Sequence, residues 1–155
     1  KQTFAAIAEG WTELSGVPQI EEERIREQEH GMKTLYNDNR IYNVFHPKNA
    51  LLDNLQDRYS NRNEGGESHI DVRDRVGSFI NTLIREYAGQ KVLMVTHHLL
   101  ILAMMGRLER WDREKFIETN KSEKPVNCGV TVFRGDPHSG KSGKLLREEY
   151  NVQLY

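Results

Sequence analysis

Cysteine is nearly absent from this sequence. Cys128 stands alone among 155 residues, so an intrachain disulfide framework and a cysteine-based zinc site are both excluded, and a reducing compartment is the natural expectation. No apolar run approaches the roughly 20 residues that a membrane-spanning helix needs, and the first residues lack the charged-then-apolar pattern of a signal peptide. An excess of charge of one sign is missing too: 22 Lys plus Arg against 23 Asp plus Glu leave a net charge of -1. No global field then draws the chain to nucleic acid or to an acidic membrane surface, and an anionic ligand has to be held by a local cluster. These absences together predict a cytoplasmic domain with no nucleic-acid and no membrane partner.

What is present is the composition of a folded domain. An apolar share of 37% and 12 glycines fall in the globular range, and the length suits one domain with a real core. Phe4, Ile7, Ala8, Trp11 and Leu14 recur at helical steps, so a helix with one buried face is expected over 3–14, stopped by Ser15-Gly16. Val17 to Ile20 reads as a short strand, followed by a charged stretch from Glu21 to His30 closed by Gly31. Residues 34 to 66 have no clear period and are broken by Pro47, which predicts an excursion of short helices and loops. Ser68-His69-Ile70-Asp71 has the form of a capping box, and Ile70, Val76, Phe79, Ile80, Leu83, Ile84 and Tyr87 then make an amphipathic face ending near Ala88-Gly89. Val92-Leu93-Met94-Val95 is the continuous apolar run of a strand buried in a parallel sheet. Leu99 to Met105 suits a buried helix with Gly106 as its stop, and Asp112 to Glu118 a second short helix. Val130 to Phe133 reads as a strand, Gly135 to Gly143 as a turn-rich connection, and Leu145 to Leu154 as a last edge strand or strand pair. Helices alternating with strands argue for an α/β layered fold.

The chemistry concentrates at three places. His97-His98 directly follows the apolar strand, and in open α/β sheets ligands bind beyond the carboxyl ends of strands, where helix N-termini point inward. A histidine there can exchange a proton or stabilise a transferring anion, although a hydrogen-bonded structural histidine fits the position as well. Zinc ligation by both is disfavoured, because adjacent residues leave a strand end in different directions and no third ligand matches. His98 by itself reads as a helix-start residue. In the stretch from Ile25 to Gly31, Glu27 would serve as a general acid if burial or negative neighbours raised its pKa; a solvated charged loop is the plainer account. Arg62, four residues before Gly66-Glu67-Ser68, offers a planar guanidinium for phosphate oxygens, or is a surface arginine.

Gly135 to Ser142 fits the nucleotide-binding pattern G-x-x-x-x-G-K-[ST] letter for letter. The context fails, since the residues that follow alternate like a strand instead of feeding a long helix whose N-terminus holds the phosphate. A polar hairpin loop explains the same letters.

Taken in order along nearly the whole chain, these segments resemble the histidine phosphatase superfamily, the group that contains cofactor-dependent phosphoglycerate mutase and many phosphatases. Lys1-Gln2-Thr3 is similar to the residues just after that family's second conserved arginine, and Arg26-Glu27-Gln28-Glu29-His30-Gly31 to its acid-bearing loop. Arg62 through Gly66-Glu67-Ser68, followed by Asp71-Val72 and Arg75-Val76, is similar to its Arg-x-x-x-Gly-Glu-Ser and the helix after it. Val92 to His97 resembles the strand that delivers the second catalytic histidine, and Asn127-Cys128-Gly129-Val130 the start of a late strand. Two features depart from the family: no Arg-His-Gly triplet, the bearer of the nucleophilic histidine, occurs here, and His98 stands where the family usually has Gly.

The resemblance implies a three-layer α/β sandwich with a mostly parallel sheet flanked by helices and lacking its first central strand. Residues 1–155 would form a partial histidine-phosphatase-like domain, with 34–66 an irregular insertion covering the substrate. The implied function is hydrolysis of small phosphate monoesters through a phosphohistidine supplied by a segment absent from this chain, so that the chain alone has negligible turnover. Glu27 would donate the proton to the leaving alkoxide, His97 would hold charge on the transferring phosphoryl group, and Arg62 and His98 would contact the substrate, with no metal and no cofactor. The missing strand implies either a further amino-terminal segment or a rearranged homo-oligomer. Two other readings stay open: mutase-type phosphoryl transfer, and a noncatalytic module that binds a phosphorylated ligand or a partner protein.

Overall fold

A computed structural model describes residues 2–54, 57–140 and 143–154. Within them α1 spans Gln2–Gly10, α2 Asn39–Phe45, α3 Pro47–Asn54, α4 His69–Glu86, α5 His98–Leu108 and α6 Arg113–Ser122, and a hairpin of β1 (Val130–Asp136) and β2 (Lys144–Val152) completes the described chain. Lys141 and Ser142 of the nucleotide-like pattern lie outside the described residues, as do Lys1 and the pair Leu55-Gln56.

Helix α4 starts where its local chemistry dictates. Ser68 Oγ accepts the Asp71 N–H at 3.2 Å while Asp71 Oδ2 accepts the Ser68 N–H at 2.7 Å, so two otherwise orphaned donors are satisfied reciprocally. The stripe Val72, Val76 and Ile80 is buried against α5 and Phe79 is buried with the Arg24 guanidinium over its ring, whereas Ile70 and Ile84, read on the same face, are exposed. Leu100, Leu102 and Met105 of α5 and Phe116 of α6 are fully buried beside Val72 and Val76, and each such side chain stabilises the fold by about 1.5–3 kcal/mol. Arg73 closes one corner of this core. Its guanidinium lies 5.7 Å from the Tyr59 ring and 5.6 Å from the Phe116 ring, and donates to the Trp111 carbonyl at 3.1 Å.

Gly106 does not stop α5. A Cβ there would meet Phe116 Cδ2 at 3.1 Å and Trp111 Cε3 at 3.3 Å, so this glycine serves the close approach of α6 instead. The helix runs two residues further, to Leu108, and the left-handed residue beyond it is Arg110, with φ 57°. Pro47 likewise does not merely interrupt its segment; it begins α3, the first-turn position where its missing N–H costs nothing.

The expected parallel sheet is not present among the described residues, whose single sheet is the antiparallel β1–β2 hairpin. The segment 92–95 joins no strand: Met94 packs on the core, while Val92 and Leu93 are half exposed. A strand needs a neighbour to take its N–H and C=O groups, and among the described residues neither this segment nor 17–20, with Val17 and Ile20 exposed, has one. The described residues therefore form an α/β arrangement of six helices and one antiparallel hairpin, and not the three-layer sandwich expected. Helix α1 also differs from expectation. It stops at Gly10, a short 3-10 turn follows at Thr12–Leu14, and none of its residues is buried.

Candidate active site

Glu27 and His97, seventy residues apart in sequence, meet at one edge of the α4–α5 pair. His97 is the N-cap of α5, so its imidazole sits at the positive end of an eleven-residue helix, where an anion is favoured. It makes no capping bond of its own. Its Nδ1 lies 3.4 Å from Glu27 Oε2, with both side chains open to solvent at 58% and 42%. The other carboxylate oxygen of Glu27 accepts the Gln28 N–H at 2.8 Å, which leaves Oε2 facing the imidazole.

The loop that carries Glu27 is fixed from below. Arg75 of α4 donates from Nη1 to the Arg24 carbonyl at 2.8 Å and from Nη2 to the Glu27 carbonyl at 3.2 Å. It also pairs with Glu67 through Nε–Oε1 at 2.8 Å and Nη2–Oε2 at 3.0 Å. Glu67 in turn accepts the Glu29 N–H at Oε2 (2.9 Å), and its own N–H donates to the Glu29 carbonyl at 2.8 Å. Burial pushes the Glu67 carboxyl up, but the Arg75 guanidinium, the Glu29 N–H and the charge of Arg26 outweigh it and hold the group below its ordinary pKa. Thr96 Oγ1 donates to the Ile25 carbonyl at 2.7 Å, tying the loop to the residue before His97. Gly31 and Gly66 let the backbone of this loop lie directly on the 64–66 turn: a Cβ on Gly66 would sit 2.8 Å from the Glu29 carbonyl oxygen.

His98 turns inward from the first turn of α5. Burial is the main cause that lowers its pKa; Lys124 adds to this, while Glu27 and Asn120 oppose it. His69, the first residue of α4, is more deeply buried, and burial together with the positive fields of Arg58, His98 and His30 brings its pKa down to about 4. Its Nδ1 and the Nε2 of His98 meet no hydrogen-bond partner among the described residues.

Arg62 is placed differently from Glu27 and His97. Its Nη2 lies 3.3 Å from Asp71 Oδ1 at the start of α4, and it lines an open depression of about 420 Å³ with Phe45, His46, Pro47, Lys48, Asn49 and Glu64. A second depression of about 310 Å³ begins at Gln28 and includes His30, Lys33, Arg58, Asn61 and Asn63. Among the described residues no group of three or more His, Cys, Asp or Glu is arranged to hold a metal ion, and no helix is long and apolar enough to cross a membrane. Reading the sequence missed Arg75 and Thr96 as parts of the site and His69 as a buried titratable group. Arg75 carried a signal only as a letter in the motif following Gly-Glu-Ser.

Comparison with known proteins decides the lineage. The model of the histidine phosphatase superfamily (branch 1) matches residues 1–145. The chain belongs to this superfamily. Among solved structures, mycobacterial glucosyl-3-phosphoglycerate phosphatase in its native form is similar with TM-score 0.67 and 19% identity, over 97% of this chain and 73% of that one. The same enzyme with inorganic phosphate gives 0.62 and 20%, over 84% and 63%. A protein described as mycobacterial hydrolase 1 gives 0.64 and 20%, over 86% and 64%. At these identities the likeness is one of fold, and this histidine phosphatase chain spans under two thirds of the length of several of the structures it matches. No curated protein matches it significantly.

Proposed function

We propose that this chain carries the proton-donating and charge-holding part of a phosphatase site for small phosphate monoesters, and that the phosphohistidine forms on a histidine supplied from outside the chain. The observation that carries this reading is the approach of His97 Nδ1 to Glu27 Oε2 at 3.4 Å on the positive end of a helix in a member of this superfamily. The incoming imidazole would attack phosphorus in line, forming an N–P bond as the ester P–O bond breaks, and Glu27 would give its proton to the departing oxygen. Water would then attack the phosphohistidine, returning a proton to Glu27. His97 and the α5 terminus would hold the charge on the equatorial oxygens throughout. Residues 34–66 would cover the substrate, with Arg62 as an anion contact and His98 at the floor beside His97. Hydrolysis is favoured over mutase transfer by the phosphatases and hydrolases among the similar structures.

Chemical trapping tests this. The protein that joins this chain to an Arg-His-Gly segment, mixed briefly with a phosphate monoester and quenched in alkali, is expected to yield an alkali-stable, acid-labile phosphohistidine. The chain by itself is expected to release phosphate no faster than buffer. Turnover by the chain alone, or no phosphohistidine in the larger protein, overturns the reading.

A further inference from the structure

The loop from Arg24 to Glu29 forms no regular structure after its short 3-10 turn at Glu23–Ile25, yet a general acid must be held to within a fraction of an ångström to be useful. The order comes from elsewhere. Two carbonyls of the loop, those of Arg24 and Glu27, are taken by one guanidinium; the Ile25 carbonyl is taken by Thr96; and Glu29 is bonded through both its N–H and its C=O to Glu67. Gln28 adds a side-chain donor to the Glu67 carbonyl at 2.7 Å. Residues on each side of Glu27 are thus fastened to Glu67, Arg75 and Thr96, and Oε2 of the Glu27 carboxylate faces His97 Nδ1. At the centre of this frame the Arg75 and Glu67 side chains are 15% and 16% exposed, so their charge-assisted bonds are shielded from water and stiff.

We propose that Arg75, oriented by Glu67, is a positioning residue for proton donation by Glu27, and that Thr96 is a second, weaker one that couples the same loop to His97. The proposal rests on the reading of Glu27 as general acid. It distinguishes Arg75 from an ordinary structural arginine, because a residue that acts through the acid affects esters according to how much their leaving group needs a proton. An alkyl phosphate needs one; an activated aryl phosphate such as 2,4-dinitrophenyl phosphate, whose phenolate leaves unaided, does not.

The experiment uses the protein joined to its Arg-His-Gly segment and compares kcat/KM on glycerol phosphate and on 2,4-dinitrophenyl phosphate, because kcat/KM reports formation of the phosphohistidine and not the hydrolysis step that both esters share. Arg75→Lys keeps the charge beside Glu67 but loses the fork that spans the Arg24 and Glu27 carbonyls. It is expected to lower kcat/KM on the alkyl ester by roughly tenfold to a hundredfold and on the aryl ester by less than about threefold. Thr96→Val, a near-isosteric change that leaves the core intact, is expected to shift the same ratio by a smaller factor. In a Glu27→Gln background Arg75→Lys is expected to change the alkyl-to-aryl ratio no further, since the group it positions is gone. Equal losses on the two esters, or a full additional loss in the Glu27→Gln background, overturn the proposal. An unchanged ratio in Glu27→Gln alone removes the acid itself and overturns both the functional reading and the role of Arg75 that rests on it, whereas a shifted ratio in Glu27→Gln with equal losses in Arg75→Lys overturns the role of Arg75 alone.

Discussion

The imidazole of His69 lies with its centroid 5.7 Å from that of the Phe116 ring, so a histidine at the first position of α4 faces the apolar core. Burial and the neighbouring Arg58, His98 and His30 bring its pKa from 6.5 to about 4. The native state therefore keeps it neutral where the unfolded state would already bind a proton. Stability is complete above about pH 6.5, falls as pH drops toward 4, and the loss from this group levels off at about 3 kcal/mol below that. His98 moves in the same direction. Urea midpoints at pH 7.5 and pH 5 are expected to differ markedly in the native sequence and much less in His69→Leu.

Gly31 has φ 57°, and a Cβ there would run into the Glu64 carbonyl and the Gly66 amide nitrogen. Backbone on both sides leaves no flexible side chain to give way. Gly31→Ala is expected to cost more than the roughly 1 kcal/mol of a left-handed alanine alone and to push residues 27–31 off the 64–66 turn. In the protein joined to its Arg-His-Gly segment, thermal melts together with kcat on an alkyl phosphate would show stability and turnover falling together.

Leu100 is wholly buried where α4 and α5 pack. Leu100→Ala is expected to destabilise by about 2–5 kcal/mol, through lost transfer energy and a cavity the surrounding helices fill only in part. Denaturant unfolding checks this, with a lower midpoint and an unchanged slope as the outcome.

Arg62 separates stability from binding. Its ion pair with Asp71 is solvent-exposed, and such pairs contribute about 0–1 kcal/mol. Arg62→Ala is therefore expected to leave the melting temperature almost unmoved. If the side chain contacts substrate as proposed, KM for a phosphate ester rises while kcat holds; unchanged KM would return Arg62 to a surface role.

What the sequence made legible was what depends on neighbours in sequence. Ser68 and Asp71 announce the start of α4 because a capping box closes within four residues, and the glycine-rich turn before 145–154 announces an edge strand or strand pair for the same reason. Val92 to Val95 misled because an apolar run specifies a buried strand only together with a partner strand, which this segment lacks among the described residues. Gly106 misled because glycine both ends helices and admits close neighbours, and only the position of Phe116 says which. At the site, Glu27 and His97 stand out through the resemblance of 26–31 and 92–97 to the family's acid-bearing loop and histidine-bearing segment. Arg75 could not: its partners Arg24 and Glu27 lie about fifty residues away in sequence, and a charged side chain in a helix carries no mark of the carbonyls it will meet.

The apolar run at 92–95 has a consequence for handling the chain. It lies beside a well-packed helical pair, joins no strand, and leaves Val92 and Leu93 half in water. Such a segment is a template onto which another extended chain adds by main-chain hydrogen bonding. Crowded copies are expected to pair there edge to edge while α4 and α5 remain folded, and Val92→Lys is expected to raise the concentration at which scattering appears without moving the melting temperature.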